Sequence, residues 1–309
     1  MDDHDDPHWL PPKPKRDRSL LIAGLVVIIA LVVGVGVTFF GASGLFASDD
    51  DADVVTIGTT EGTQDYWPIF VRKAKEQGIT INTVNFSDAN QPNPALAQGH
   101  VDLNLFQHLQ FLADYNVSTH NNLAPVGSTY IVPLAIYSEK HDSLDAIPQG
   151  ASVAIPNDPT NQARALLVLQ AAGLVSLRDG GSIKATPTDV LADSRVNVVP
   201  IAAQQTVTSL PSVDAAVINN NFAQDANLDP SSAIYKDDPK SPAAAPYTNV
   251  IVARGGDENN ARYQKVVKIF HDPEVTAALV AQSKDTAVIV QRPQAELKQI
   301  LTGLEEQIR

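Results

Sequence analysis

A chain of 309 residues, 44% apolar and 18% charged, has ample material for one or two folded domains. Its formal net charge of −13 argues against nucleic acid or an anionic membrane surface as a partner. The absence of cysteine excludes disulfides, thiolate chemistry, Cys-type zinc sites and lipid attachment through an N-terminal cysteine.

Residues 1–19 are polar, charged and proline-rich, and read as a disordered tail. His4 and His8 lie there among aspartates, a solvated arrangement rather than a metal site. Residues 20–40 (LLIAGLVVIIALVVGVGVTFF) carry no charge. At about 1.5 Å per residue such a helix covers the roughly 30 Å hydrocarbon core of a bilayer. Lys13, Lys15, Arg16 and Arg18 precede it and Asp49, Asp50, Asp51 and Asp53 follow, which orients the tail to the cytoplasm and the remainder outside. A cleaved signal peptide is the competing reading, because Gly41-Ala42-Ser43-Gly44 follows. The apolar run exceeds the usual h-region of about 7–15 residues, so a retained transmembrane anchor is expected. Residues 41–53 form a linker.

From Val54 the pattern alternates between strand and helix. Strands are expected at 54–59, 79–86 and 101–106, and helices at 66–77, 93–98 and 107–115. Two strands broken near Gly127 are expected within 123–137. A largely parallel sheet with helices on its faces follows from that alternation. A second unit has strands at 152–155, 196–201 and 214–218, helices at 161–172 and 204–210, and a loop over 225–248 with a short strand at 233–235. The strand 249–253 and helices at 259–271 and 273–283 come next. The tail 293–309 is amphipathic, with Leu297, Ile300, Leu301, Leu304 and Ile308 at helical spacing, and is expected to pack on the body.

The stretch 152–165 (SVAIPNDPTNQARA) organises the rest. A strand breaks at Pro156, turns through Asn157-Asp158-Pro159 and enters a helix that Thr160 or Asn161 can cap. Free backbone N–H groups at such a turn face whatever lies beyond the strand end. Arg164 adds a fork suited to a carboxylate, and Asn161 an amide that donates and accepts. The pattern suits a small anionic or zwitterionic molecule; a capped helix with a surface arginine fits it as well. No GxSxG, HExxH or P-loop pattern occurs, and no GxGxxG lies outside the apolar run. The histidines of the folded part show no metal-ligand spacing. Neither enzyme activity, a metal nor a cofactor is expected.

Three stretches, VDLNLFQH at 101–108, IPNDPTN at 155–161 with Arg164, and AVIN at 216–219, resemble the NlpA/MetQ family of methionine importer receptors. Pro92-Asn93, Tyr137-Ser138 and Tyr247-Thr248-Asn249 extend the resemblance over about 54–283. It implies an α/β type II periplasmic-binding-protein fold of two lobes. One lobe would comprise 54–138 and 249–285, the other 139–248, with crossings near 137–141 and 247–249 and a C-terminal extension over 286–309. The implied function is a membrane-anchored extracytoplasmic receptor that hands methionine or a related ligand to an ABC permease and ATPase. Carried over, Arg164 pairs with the ligand carboxylate and Asn161 lies beside it, Asn219 and Asn249 contact the amino-acid backbone, and Phe106 and His108 flank the thioether, with Phe111 at a position that is often Tyr. Family members usually carry a lipidated cysteine, for which the apolar helix would substitute. Two further departures stand out: Ala89 replaces a common tyrosine, and Glu61-Gly62-Thr63-Gln64 replaces a Gly-Pro-His run. Losing the Ala89 ring removes up to ~150 Å² of apolar contact. Another apolar amino acid or a methionine-containing dipeptide therefore stays open as ligand. A sensor or surface interaction protein stays open as role, and an enzyme on the same scaffold is the remaining alternative.

Overall fold

The computed structural model describes residues 53–309. The tail 1–19, the apolar run 20–40 and nearly all of the linker lie outside the described residues. Among the described residues no helix is long and apolar enough to cross a membrane.

The first half builds β1 (Val54–Thr59), α1 (Tyr66–Glu76), β2 (Thr80–Asn85), α2 (Pro92–Ala97), β3 (Leu103–His108), α3 (Leu109–Thr119) and β4 (Ala124–Ser128). Two short strands follow, β5 (Tyr130–Ile131) and β6 (Ala135–Tyr137). Next come β7 (Ala151–Pro156), α4 (Pro159–Ala171), β8 (Val196–Ile201), β9 (Ala215–Ile218), α5 (Asn220–Asp225) and β10 (Tyr235–Lys236). The chain ends with β11 (Asn249–Ala253), α6 (Ala261–Phe270), α7 (Pro273–Gln282), β12 (Val288–Ile289) and α8 (Gln294–Ile308).

Two five-stranded sheets result, ordered β2-β1-β3-β11-β4 and β10-β6-β9-β7-β8. In each, three strands run parallel and the other two antiparallel to their neighbours. Both sheets are mixed, with the expected parallel pairing confined to β2-β1-β3 and β9-β7-β8. β11, which follows the second sheet in sequence, lies inside the first. β6, expected to belong with the first unit up to residue 138, pairs with β9 of the second. Its Ile136 is fully buried beside Val153 and Val217, and an apolar strand settles where that burial is available. The first crossing between sheets therefore falls at 132–134, upstream of the expected 137–141.

Other local expectations are corrected. Gly127 does not break a strand; it lies inside β4, where a Cβ would come within 2.4 Å of Val267 Cγ1, so glycine serves the close approach of α6. The expected helix over 204–210 is only a 3-10 turn at Ala203–Gln205. The cap of α4 is neither Thr160 nor Asn161 but Asp158, whose side chain accepts from Asn161 N. Pro159 at the first helical position needs no N–H partner, and that places the cap one residue before it. α8 lays Leu297, Leu301 and Leu304 into a cluster with Leu109, Leu112, Val250 and Val252. The buried side-chain amides of Asn93 and Gln107 exchange hydrogen bonds of 2.8 and 2.6 Å, which ties the start of α2 to β3.

The parallel strands of both sheets end toward the same space. β1 ends at Thr59, β3 at His108, β7 at Pro156 and β9 at Ile218. The crevice beyond the carboxyl ends of such strands is where α/β folds place ligands.

Candidate functional site

A cleft enclosing about 910 Å³, open mouth included, is lined from both sheets. All seven residues singled out in the sequence line it: Phe106, His108, Phe111, Asn161, Arg164, Asn219 and Asn249. Ala89 lines it too.

The α4 end is built by its cap. Asp158 Oδ1 accepts from both the backbone N and Nδ2 of Asn161 at 2.9 Å. That turns Asn161 Oδ1 outward, where it accepts from Asn219 Nδ2 at 2.8 Å and faces His108 Nε2 at 3.4 Å. His108 caps α3: its Nδ1 accepts from Phe111 N at 3.2 Å. The neutral ring then carries its proton on Nε2, facing Asn161. Burial lowers the His108 pKa to about 3, with the nearby Arg164 guanidinium acting the same way. The imidazole is therefore an uncharged donor at neutral pH. Phe106 meets Phe111 edge-on at 5.7 Å, and His108 meets Tyr247 edge-on at 5.5 Å, the arrangement that ring quadrupoles favour.

Arg164 is only 4% exposed. Its Nε and Nη2 donate to Asp237 Oδ2 at 3.1 and 2.8 Å, and Nη2 also donates to the Val132 carbonyl at 3.0 Å. The guanidinium lies over the Tyr247 ring at 4.0 Å. Asp237 is fixed in turn, because its Oδ1 accepts from Leu134 N at 2.8 Å. In this arrangement Nε and Nη2 are committed within the protein, and Nη1 makes no hydrogen bond among the described residues. The fork that the sequence offers to a ligand is thus reduced to the Nη1 end unless Asp237 moves. Asn249 Nδ2 reaches the Tyr130 carbonyl at 3.3 Å.

Three features escape the sequence. Asp237 sits in a stretch that reads as loop, 73 residues from its arginine. Tyr247 belongs to a recognised motif, but only the fold puts its ring between Arg164 and His108. Glu61 is 4% exposed in the cleft wall and accepts from the hydroxyls of Tyr66 and Tyr130. Its one advance signal is the departure from Gly-Pro-His. Among the described residues no cluster of His, Cys, Asp and Glu is arranged to hold a metal ion.

Lipoprotein 28 of Escherichia coli K12 is 34% identical over 270 residues, covering 85% of this chain and 92% of that protein. The D-methionine-binding lipoprotein MetQ of Salmonella typhi is 34% identical over 252 residues, covering 80% and 92%. A nutrient-binding protein from Burkholderia cenocepacia, solved bound to methionine, superposes with a TM-score of 0.71 at 36% identity, covering 76% of this chain and 99% of that one. The mixed-sheet α/β fold is that of the periplasmic substrate-binding proteins. The family model described as NlpA lipoprotein matches residues 55–291, and the chain belongs to the NlpA lipoprotein family.

Proposed function

We propose that this chain is an extracytoplasmic solute receptor that binds methionine, or a closely related amino acid, and delivers it to an ABC permease. The observation that carries the reading is Arg164: a buried cation, stacked on Tyr247, in a cleft whose other walls are amides and aromatic rings. A zwitterionic amino acid needs donors for its carboxylate and polar partners for its backbone, and an apolar side chain needs an aromatic slot. Arg164 supplies the first, Asn161, Asn219 and Asn249 the second, and Phe106, His108 and Phe111 the third. The methionine-binding relatives support the choice of ligand.

The two sheets act as lobes that close on the ligand, about the connections at 132–134 and near Tyr247. The apolar run 20–40 anchors the protein, with residues 1–19 cytoplasmic and the binding unit outside. Intact mass of the membrane-extracted protein tests the anchor: a chain starting near Gly44 or Asp49 makes that run a signal peptide. Calorimetric titration of the full chain in detergent tests the receptor. Saturable binding of methionine is expected, with alanine weaker because it leaves the aromatic wall uncovered. Binding of no amino acid at all would overturn the assignment.

A further inference from the structure

The cleft has a second pole. Glu61 follows β1 and is held rigidly: its backbone N donates to Thr59 Oγ1 at 2.9 Å, and that hydroxyl donates to the Leu105 carbonyl at 2.7 Å. Tyr66 OH donates to Oε2, and Tyr130 OH to Oε1 at 2.6 Å. Two hydroxyls leave about half of a carboxylate's acceptor capacity unused. Among the described residues no lysine, arginine or histidine pairs with Glu61; the charged neighbour that acts on it is Asp225, of the same sign. Burial raises the Glu61 pKa, and Asp225 adds to this against the two tyrosine bonds. A buried carboxylate without a counter-charge is costly.

Other groups on the cleft wall have the same bias. Asn219 Oδ1 and Gln282 Oε1 both line the cleft and have no hydrogen-bond donor among the described residues. Both are acceptors. Arg164 offers N–H groups to the cleft, whereas Glu61, Asn219 and Gln282 offer lone pairs.

Resting on the receptor reading above, we propose that Glu61, positioned by Tyr66 and Tyr130, is a specificity-determining residue that receives a protonated amine of the ligand. An ammonium brings the counter-charge and up to three donors, whereas a hydroxyl brings one donor and no charge. The site therefore takes molecules that carry an amine as well as a carboxylate. The amine is either the α-ammonium of a free amino acid or the terminal ammonium of a short peptide.

Two probe pairs separate these sources by calorimetry on the full chain in detergent. The first is L-methionine against desaminomethionine, the same acid without its amine. The second is glycyl-L-methionine against its N-acetyl form. The wild type is expected to prefer the amine-bearing member of at least one pair by roughly 10- to 100-fold, the scale of one hydrogen-bonded charge. Glu61→Gln should lose most of that preference while thermal unfolding shows it folded. The pair affected identifies the amine. If Glu61→Gln does not fold, Glu61→Asp decides, since its shorter reach should lower the preference several-fold. Equal preference in wild type and variant for both pairs would make the cluster a structural anchor and overturn the proposal, with the receptor reading intact. Failure of the wild type to bind any of the four probes would overturn this inference, and binding of no amino acid at all would remove the receptor reading as well.

Discussion

Replacing Arg164 with alanine should act twice, once on folding and once on binding. The ion pair with Asp237 is 2.8 Å long, with side-chain exposures of 5% and 23%. Removing one partner of a buried pair costs about 3–5 kcal/mol, and the partial exposure of Asp237 puts this case near ~3 kcal/mol. The lost bond to Val132 adds about 1 kcal/mol, and the lost face of Tyr247 about 0.5–2 kcal/mol. Urea unfolding should therefore show Arg164→Ala destabilised by roughly 4.5–6 kcal/mol. Asp237→Asn, which keeps the shape and one acceptor, should lose about 1–3 kcal/mol. The two effects should be non-additive when combined, because they remove the same contact. Binding separates the roles. If a ligand carboxylate uses the Nη1 end, Arg164→Ala costs on the order of 2–5 kcal/mol, ~30-fold to several thousandfold in Kd. It should also abolish the discrimination between methionine and methioninamide. Asp237→Asn should retain that discrimination, since Nη1 is untouched. An alanine variant that is destabilised yet still rejects the amide as the wild type does would reduce Arg164 to a structural ion pair and refute the argument.

His108 gives a prediction for pH. Its pKa is lowered in the folded protein, so between about 6.5 and about 3 the unfolded chain takes up a proton that the folded one refuses. Its contribution is present above pH 6.5 and lost as pH falls, at about 1.4 kcal/mol per unit. Stability of His108→Gln, measured by urea unfolding from pH 7 to 4.5, should fall less steeply than that of the wild type; parallel curves would contradict the assigned burial. Leu297 of α8 is fully buried, so Leu297→Ala should cost about 2–5 kcal/mol while methionine affinity holds. A loss under about 0.5 kcal/mol would mean that α8 contributes little to the folded body.

Much of the fold is legible because apolar periodicity is local. The strand–helix alternation from Val54, the turn into α4 and the amphipathic α8 are all visible as patterns. Long-range pairing is not. Ala135–Tyr137 reads as a strand, but nothing nearby says which sheet takes it, and the answer lies with Ala216–Ile218. Gly127 reads as a breaker, yet it is a packing glycine, because the Val267 side chain that requires it lies 140 positions away. The cleft divides in the same way. Asn161 and Arg164 are three apart on one helix and announce themselves. Asp237, which fixes Arg164, and the pair Tyr66 and Tyr130, which hold Glu61, meet their partners only through tertiary contacts. A motif points to His108, whereas its uncharged state follows from burial that only the folded chain supplies.

The central claim is that the cleft holds an amino acid by its carboxylate. The most direct measurement is mass spectrometry of small molecules released on denaturing the full chain after gentle purification from its own cells. The account predicts methionine, or a related amino acid or short peptide, at near-stoichiometric amount from the wild type and greatly reduced from Arg164→Ala. Recovery of a stoichiometric ligand without a carboxylate, or of the same ligand in equal amount from both proteins, would contradict it.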